Sequence, residues 1–168
     1  QPRLADRRGR TGAGLSVGGE LPRGARIDWQ PVDPPVPREL RGARVLLRPV
    51  DPAADAAPLF AVSHPPEGDP AIWTYLPYGP FEGAPDLADM LAGAASSTDP
   101  LFFTIAALPG GRPVGVASYL RVTPQEGTIE IGHIWFGSPL QRTPAATEAI
   151  YLLARHAFED LGYRRLEW

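Results

Sequence analysis

Between Thr128 and Trp168 the chain reads strand, helix, strand, and this order constrains the fold more than any other feature. Pro144 to Leu161 gathers Ile150, Leu153, Ala154, Ala157, Phe158 and Leu161 on one apolar helix face. Thr143 can cap that helix, Pro144 takes its first position and Gly162 ends it. A strand on either side of one helix predicts a right-handed parallel crossover. Such a unit is stable only as part of a larger sheet.

The preceding sequence supplies that sheet. Arg44 to Val50 alternates as a short strand, and Asp51-Pro52 opens a helix over Ala53 to Ser63. Asp69-Pro70 repeats the opening before Ala71 to Leu76, and Pro85-Asp86 opens a helix running to Ala95. Leu101 to Leu108 and Val114 to Val122 flank Pro109-Gly110-Gly111-Arg112, which predicts a hairpin. A turn over Pro124 to Gly127 leads into a strand from Thr128 to Gly137, and Tyr163 to Trp168 is the last strand. The order βαααβββαβ predicts an α+β domain over 39–168, with a mixed sheet whose final pair is parallel. Residues 1–38, rich in Gly, Arg and Pro and without apolar periodicity, read as a flexible arm. Inside the arm, Gly14-Leu15-Ser16-Val17-Gly18 matches a serine-hydrolase elbow, and Gly12, Gly14 and Gly18 loosely imitate a dinucleotide loop. Both chemistries require a strand before and a helix after. Arg7, Arg8 and Arg10 precede and Pro22 follows, so a solvated tail is the simpler reading.

Composition removes several function classes. No Cys occurs in 168 residues, which excludes disulfides, thiolate metal sites and a cysteine nucleophile. All 16 basic residues are Arg, so neither Schiff-base chemistry nor a phosphate-binding Walker lysine is available. A net charge of -3 leaves no electrostatic footprint for nucleic acid. The longest apolar run, Leu101 to Leu108, falls well short of the ~18 residues of a membrane span. No signal-peptide core follows Gln1. The expectation is a cytoplasmic monomer or homodimer without nucleic-acid or membrane partners. His64, in Ser63-His64-Pro65, reads as a loop residue and His156 as a surface residue, and no His spacing suggests a metal.

Two features point to chemistry. Ile129 and Ile131 share one strand parity, whereas Ile134 and Phe136 occupy the other, with Gly132-His133 at the change. One extra residue there, a β-bulge, reconciles the halves and frees backbone groups from the sheet. A strand buried on both faces is the alternative. Just beyond, Gln141-Arg142-Thr143-Pro144-Ala145-Ala146 puts backbone amides and small side chains at a helix start, an arrangement suited to phosphate.

The stretch from Ile129 to Phe136, followed by Gln141-Arg142-Thr143-Pro144-Ala145-Ala146-Thr147-Glu148-Ala149, resembles the central motif of the GCN5-related N-acetyltransferases (GNAT). Within them it looks like the branch that modifies ribosomal-protein N-termini. Leu46-Leu47-Arg48-Pro49 resembles that branch's opening strand and Pro113-Val114-Gly115-Val116-Ala117-Ser118 its third, so the likeness covers about residues 40 to 168. The resemblance implies a mostly antiparallel sheet with a splayed strand pair, and acetyl-CoA as co-substrate. It also implies direct acetyl transfer to a primary amine, either a protein N-terminus or a small amine, or else a non-catalytic CoA-binding module of the same fold. The bulge would receive the pantetheine arm at Ile134, Trp135 and Phe136. Gln141, Arg142, Thr143, Ala145 and Ala146 would hold the pyrophosphate.

Pro144 occupies a family glycine position and has no N–H to donate, so one phosphate contact is absent or replaced through Thr143 or Arg142. Glu130 matches an acidic position of the ribosomal branch and is a candidate base, with a solvated, Arg-paired carboxylate as the alternative. His133, beside the bulge, is the second candidate. Tyr78, Phe81 and Glu82 are where the family's acceptor groove would lie, and Trp73 is expected in the core. The family continues past its last parallel strand with another helix and two strands, which carry a cofactor-contacting Asn and a general acid. No counterpart precedes Trp168, so the chain reads as cut at its C-terminus. The strand from Tyr163 to Trp168 would then be an edge exposing Tyr163, Leu166 and Trp168, which predicts self-association.

Overall fold

The structure, a computed structural model, describes residues 24–25 and 27–168. The elbow-like and dinucleotide-like glycine motifs of the arm lie outside the described residues. Strands β1 (Leu40–Arg41) and β2 (Val45–Pro49) lead into helix α1 (Pro52–Ser63). The Asp51 carboxylate caps α1 by accepting from the amides of Ala53 and Ala54. Asp69-Pro70 opens only a 3-10 turn, Pro70–Trp73, rather than a full helix. Helix α2 (Ala84–Ser96) comes next, then β3 (Leu101–Ala107), β4 (Arg112–Thr123) and β5 (Thr128–Phe136). Helix α3 (Pro144–Arg155) and β6 (Arg165–Glu167) complete the chain. The six strands lie side by side in chain order, antiparallel except for β5 and β6, which pair in parallel. This is the GNAT-like α+β sheet expected from the sequence.

Side-chain alternation divides the core between the two sheet faces. Val45, Leu47, Leu101, Phe103, Ile105, Ile129 and Ile131 pack against α3. Phe102, Val116 and Trp135 pack against α1, α2 and Trp73, which is in the core as expected. Two polar clusters tie elements together. Asp55 of α1, fully buried, is held by the Arg48 guanidinium of β2, by the Thr104 hydroxyl of β3 at 2.6 Å and by the Asp51 amide at 2.9 Å. Glu148 of α3 accepts from the amides of Ala43, Arg44 and Val45 at 2.6–3.1 Å, fastening the helix to the turn between β1 and β2. Those three donors keep its carboxyl below the usual carboxylate range against the opposing effect of burial.

The structure corrects several expectations. Helix α3 buries Ala146, Ala149, Leu152 and Leu153, with Ala157 buried just beyond it; of the expected face, Leu153 and Ala157 are buried and Ile150 and Leu161 pack half-buried on the same core, while Phe158 is 46% exposed. Phe158 leaves the expected face because α3 stops at Arg155 and widens into a π-helical turn over His156–Asp160. That turn draws His156 inside, so it is 1% exposed rather than on the surface, with Nδ1 2.8 Å from Asp160. His64 is likewise buried; it is the C-cap of α1, and its Nε2 accepts from the Phe81 amide at 3.1 Å. Burial lowers its pKa. Tyr163 is buried, not an edge residue, and its hydroxyl donates to the Asp33 carbonyl at 3.3 Å. Trp168 is 74% exposed. Residues 29–33 form no strand or helix but are docked: Trp29 Nε1 donates to the Gln125 carbonyl and the Val32 amide to the Pro124 carbonyl.

Candidate active site

The site is organised by the irregularity in β5. Val116 of β4 faces Trp135 and Ser118 faces Gly132, so the single residue Ala117 opposes both His133 and Ile134. That is the β-bulge expected from the broken apolar phase, and His133 adopts φ 48 to make it. A left-handed conformation at a residue other than glycine is strained, and such strain accumulates at functional sites. The extra residue puts Ile134 and Phe136 on the same core face as Ile129 and Ile131, and Trp135 on the other. β5 pairs in parallel with β6 from Thr128 to Glu130.

On the α3 side of β5 lies a cavity of about 460 Å³ lined by Phe136, Ala146, Thr147, Ile150, Tyr151 and Trp168. Its polar end is the loop into α3. Thr143 caps the helix: its hydroxyl donates to the Leu140 carbonyl at 2.7 Å and accepts from the Ala146 amide at 3.2 Å. The Ala146 amide is therefore engaged by the cap. Among the described residues, the amides of Arg142, Thr143 and Ala145 donate to no protein acceptor. Gln141 Nε2 donates to the Phe136 carbonyl at 2.8 Å, tying the loop to the end of β5. Arg142 takes φ 58, a second left-handed residue, and its side chain is exposed. Three free amides at a helix start, beside small side chains and an apolar cavity, fit a phosphorylated ligand with a long apolar arm. Pro144, at the first helical position, offers no fourth donor.

On the opposite face, a second cavity of about 360 Å³ is lined by Tyr78, Met90, Gly93, Ala94, Ser97, Pro100, Phe102 and His133. The His133 ring stacks on Tyr78 with centroids 5.7 Å apart and lies 5.1 Å from the Phe102 ring. Burial lowers the imidazole pKa and the nearby Glu130 charge raises it, with a net lowering. Burial likewise raises the pKa of the Tyr78 hydroxyl, which therefore stays protonated. Glu130 is bound at 2.9 Å by Arg121 Nη1, and its side chain is largely buried rather than solvated. Phe81 packs edge-on against Trp73, and Glu82 is exposed; neither lines this cavity. The α2 wall of Met90, Gly93 and Ala94 was missed in the sequence, where nothing separates these residues from ordinary helix positions. Among the described residues no group of three His, Asp or Glu could hold a metal ion, and no helix is long and apolar enough to cross a membrane.

Residues 44–168 match the family model of the acetyltransferase (GNAT) domain. The chain belongs to that family. It is 34% identical to a GCN5-related N-acetyltransferase from Brucella melitensis, with a TM-score of 0.79, over 84% of this chain and 63% of that protein. A GNAT-family protein from Chromobacterium violaceum is also 34% identical, with a TM-score of 0.77, over 89% of this chain and 74% of that one. The chain thus spans less than two thirds of the length of the Brucella protein. A Vibrio cholerae protein described as a ribosomal-protein-serine acetyltransferase, with 17% identity, a TM-score of 0.62 and coverage of 77% and 71%, shares the fold. No curated protein matches the chain.

Proposed function

We propose that this protein is a cytoplasmic acetyl-CoA-dependent N-acetyltransferase that moves acetyl directly from the thioester to a primary amine. The observation that carries this reading is the pair of cavities on opposite faces of β5, one touching His133 and the other Phe136, with the bulge between them. The free amides of Arg142, Thr143 and Ala145 would hold the pyrophosphate, and Gln141 keeps their loop against β5. Bound in the cavity beside α3, acetyl-CoA supplies an acyl carbon to which the amine nitrogen bonds as the C–S bond breaks; the nitrogen gives up its second proton to solvent, and the departing thiolate takes one up to leave as the thiol. Backbone N–H groups at Ile134 and Trp135 are suited to the thioester oxygen as charge develops there. His133, neutral near pH 7, removes the proton from the acceptor ammonium, directly or through one water. Glu130, held by Arg121, acts on that imidazole through its charge. No residue of this chain needs to carry the acetyl group.

A CoA-binding module without turnover is the second reading, favoured by the missing donor at Pro144. Calorimetric titration of acetyl-CoA, with S-acetylpantetheine as the control lacking the nucleotide and phosphates, tests both readings. Micromolar binding that is lost with the control is expected, and no binding by the folded protein would overturn both. Thiol release on adding amines to the loaded protein separates the enzyme from the module.

A further inference from the structure

The cavity on the α2 side has a lining that bears on what the acceptor looks like. Apart from the His133 ring, the Ser97 hydroxyl and the Tyr78 phenol, its wall is apolar: Met90 and Ala94 from α2, Pro100 and Phe102 from the start of β3. Among the described residues, no Asp, Glu or Arg lines it. A charged substituent seated there would lose its hydration without gaining an opposite charge. At about 360 Å³ the cavity lies at the small end of ligand sites, room for one compact group. Gly93 adds a separate observation. It stands in the middle of α2, where glycine weakens a helix relative to alanine, and a Cβ built on it meets nothing within 4 Å. The packing does not require a glycine there. Its missing side chain leaves open space along one wall of the cavity.

Building on the acetyltransferase reading, we propose that this cavity selects the acceptor: a primary amine carrying a compact, uncharged apolar group, which fills the space between Gly93, Met90 and Phe102 while the nitrogen lies toward His133. The apolar group is a branched aliphatic chain or a single ring. Each methylene it buries tightens binding about fourfold. The same chemistry is offered by a free amine and by the first residue of a peptide.

The test uses four amides as probes, glycinamide, leucinamide, phenylalaninamide and lysinamide, with binding read by calorimetry and by the shift of the His133 ring proton signals. Leucinamide and phenylalaninamide are expected to bind at least tenfold more tightly than glycinamide, and lysinamide no better than glycinamide. Gly93→Leu fills the space and should remove the leucinamide preference, while Gly93→Ala, which the helix accepts readily, should keep most of it. Neither variant should change acetyl-CoA affinity, which also shows that both are folded. A leucine-led tetrapeptide separates the sources: tighter binding than leucinamide marks a chain N-terminus, and weaker binding a free amine. Equal affinity for all four amides, tightest binding of lysinamide, or an undiminished leucinamide preference in Gly93→Leu would overturn the proposal even if acetyl-CoA binds. Selective amide binding without acetyl-CoA binding would uphold the cavity's selectivity and sink the acetyltransferase reading instead.

Discussion

At Glu130 the carboxylate is already engaged, 2.9 Å from Arg121 Nη1, whereas the His133 imidazole faces open cavity between two aromatic rings. The two candidates for the base therefore make different predictions. His133→Ala should lower kcat by about 10² to 10⁴, the usual contribution of a positioned base. Glu130→Gln should retain turnover. Its effect is electrostatic: the Glu130 charge favours the imidazolium, so neutralising it lowers the His133 pKa further below 6.5. Because the reaction needs the neutral ring, the acid limb of kcat/KM against pH should move to lower pH in Glu130→Gln. Abolished activity in that variant would make Glu130 the base. Residue chemistry of this kind was only partly legible in the sequence. The arrest of apolar phase between Ile131 and Ile134 marks the bulge because strand parity is rigid, and it brings His133 to notice. The pairing of Glu130 with Arg121 depends on two adjacent strands, β4 and β5, and no local pattern encodes it.

Among the elements, the start of α3 was the most legible, since Thr143 and Pro144 are local signals and the chain obeys them. The buried face of the helix was legible in part: Leu153 and Ala157 are buried as expected, whereas Phe158 turns outward where the π-helical turn over His156–Asp160 changes the angular spacing after Arg155, and that turn has no sequence mark. Pro144 offers a direct test of the loop. Pro144→Ala adds an amide donor where the family places one, and a hydrogen bond to a charged group contributes about 1.5–3 kcal/mol. Acetyl-CoA should bind about tenfold more tightly in calorimetry. Unchanged affinity would place the phosphates elsewhere. The tie between β2, α1 and β3 makes a separate prediction by urea unfolding. Arg48→Ala leaves the fully buried Asp55 carboxylate without its cation and should cost about 3–5 kcal/mol. Arg44→Ala removes only an exposed partner 3.9 Å from Glu148 and should cost less than about 1 kcal/mol. Similar losses in both would show that the buried cluster has no special weight.

Across the whole molecule, Trp168 reports on one cavity alone. It lines the space beside α3, while Trp73 and Trp135 are buried on the other side of the sheet and Trp29 packs near Arg164. Filling that space with acetyl-CoA should change indole emission, and Trp168→Phe should abolish the change; an equal response in the variant would mean the ligand binds elsewhere. The sheet's overall order was legible because most strands succeed one another through short turns. The division into two cavities was not, because each is walled by elements distant in the chain. The bulged strand β5 stands between those cavities as a partition, and the acetyltransferase proposal requires the bulge to be a window in it. On the proposed reading, nucleotide thioester and amine arrive through separate doorways and meet only at the window. After transfer, the spent thiol withdraws on the α3 side and the acylated amine on the α2 side, so neither product has to back out past the other.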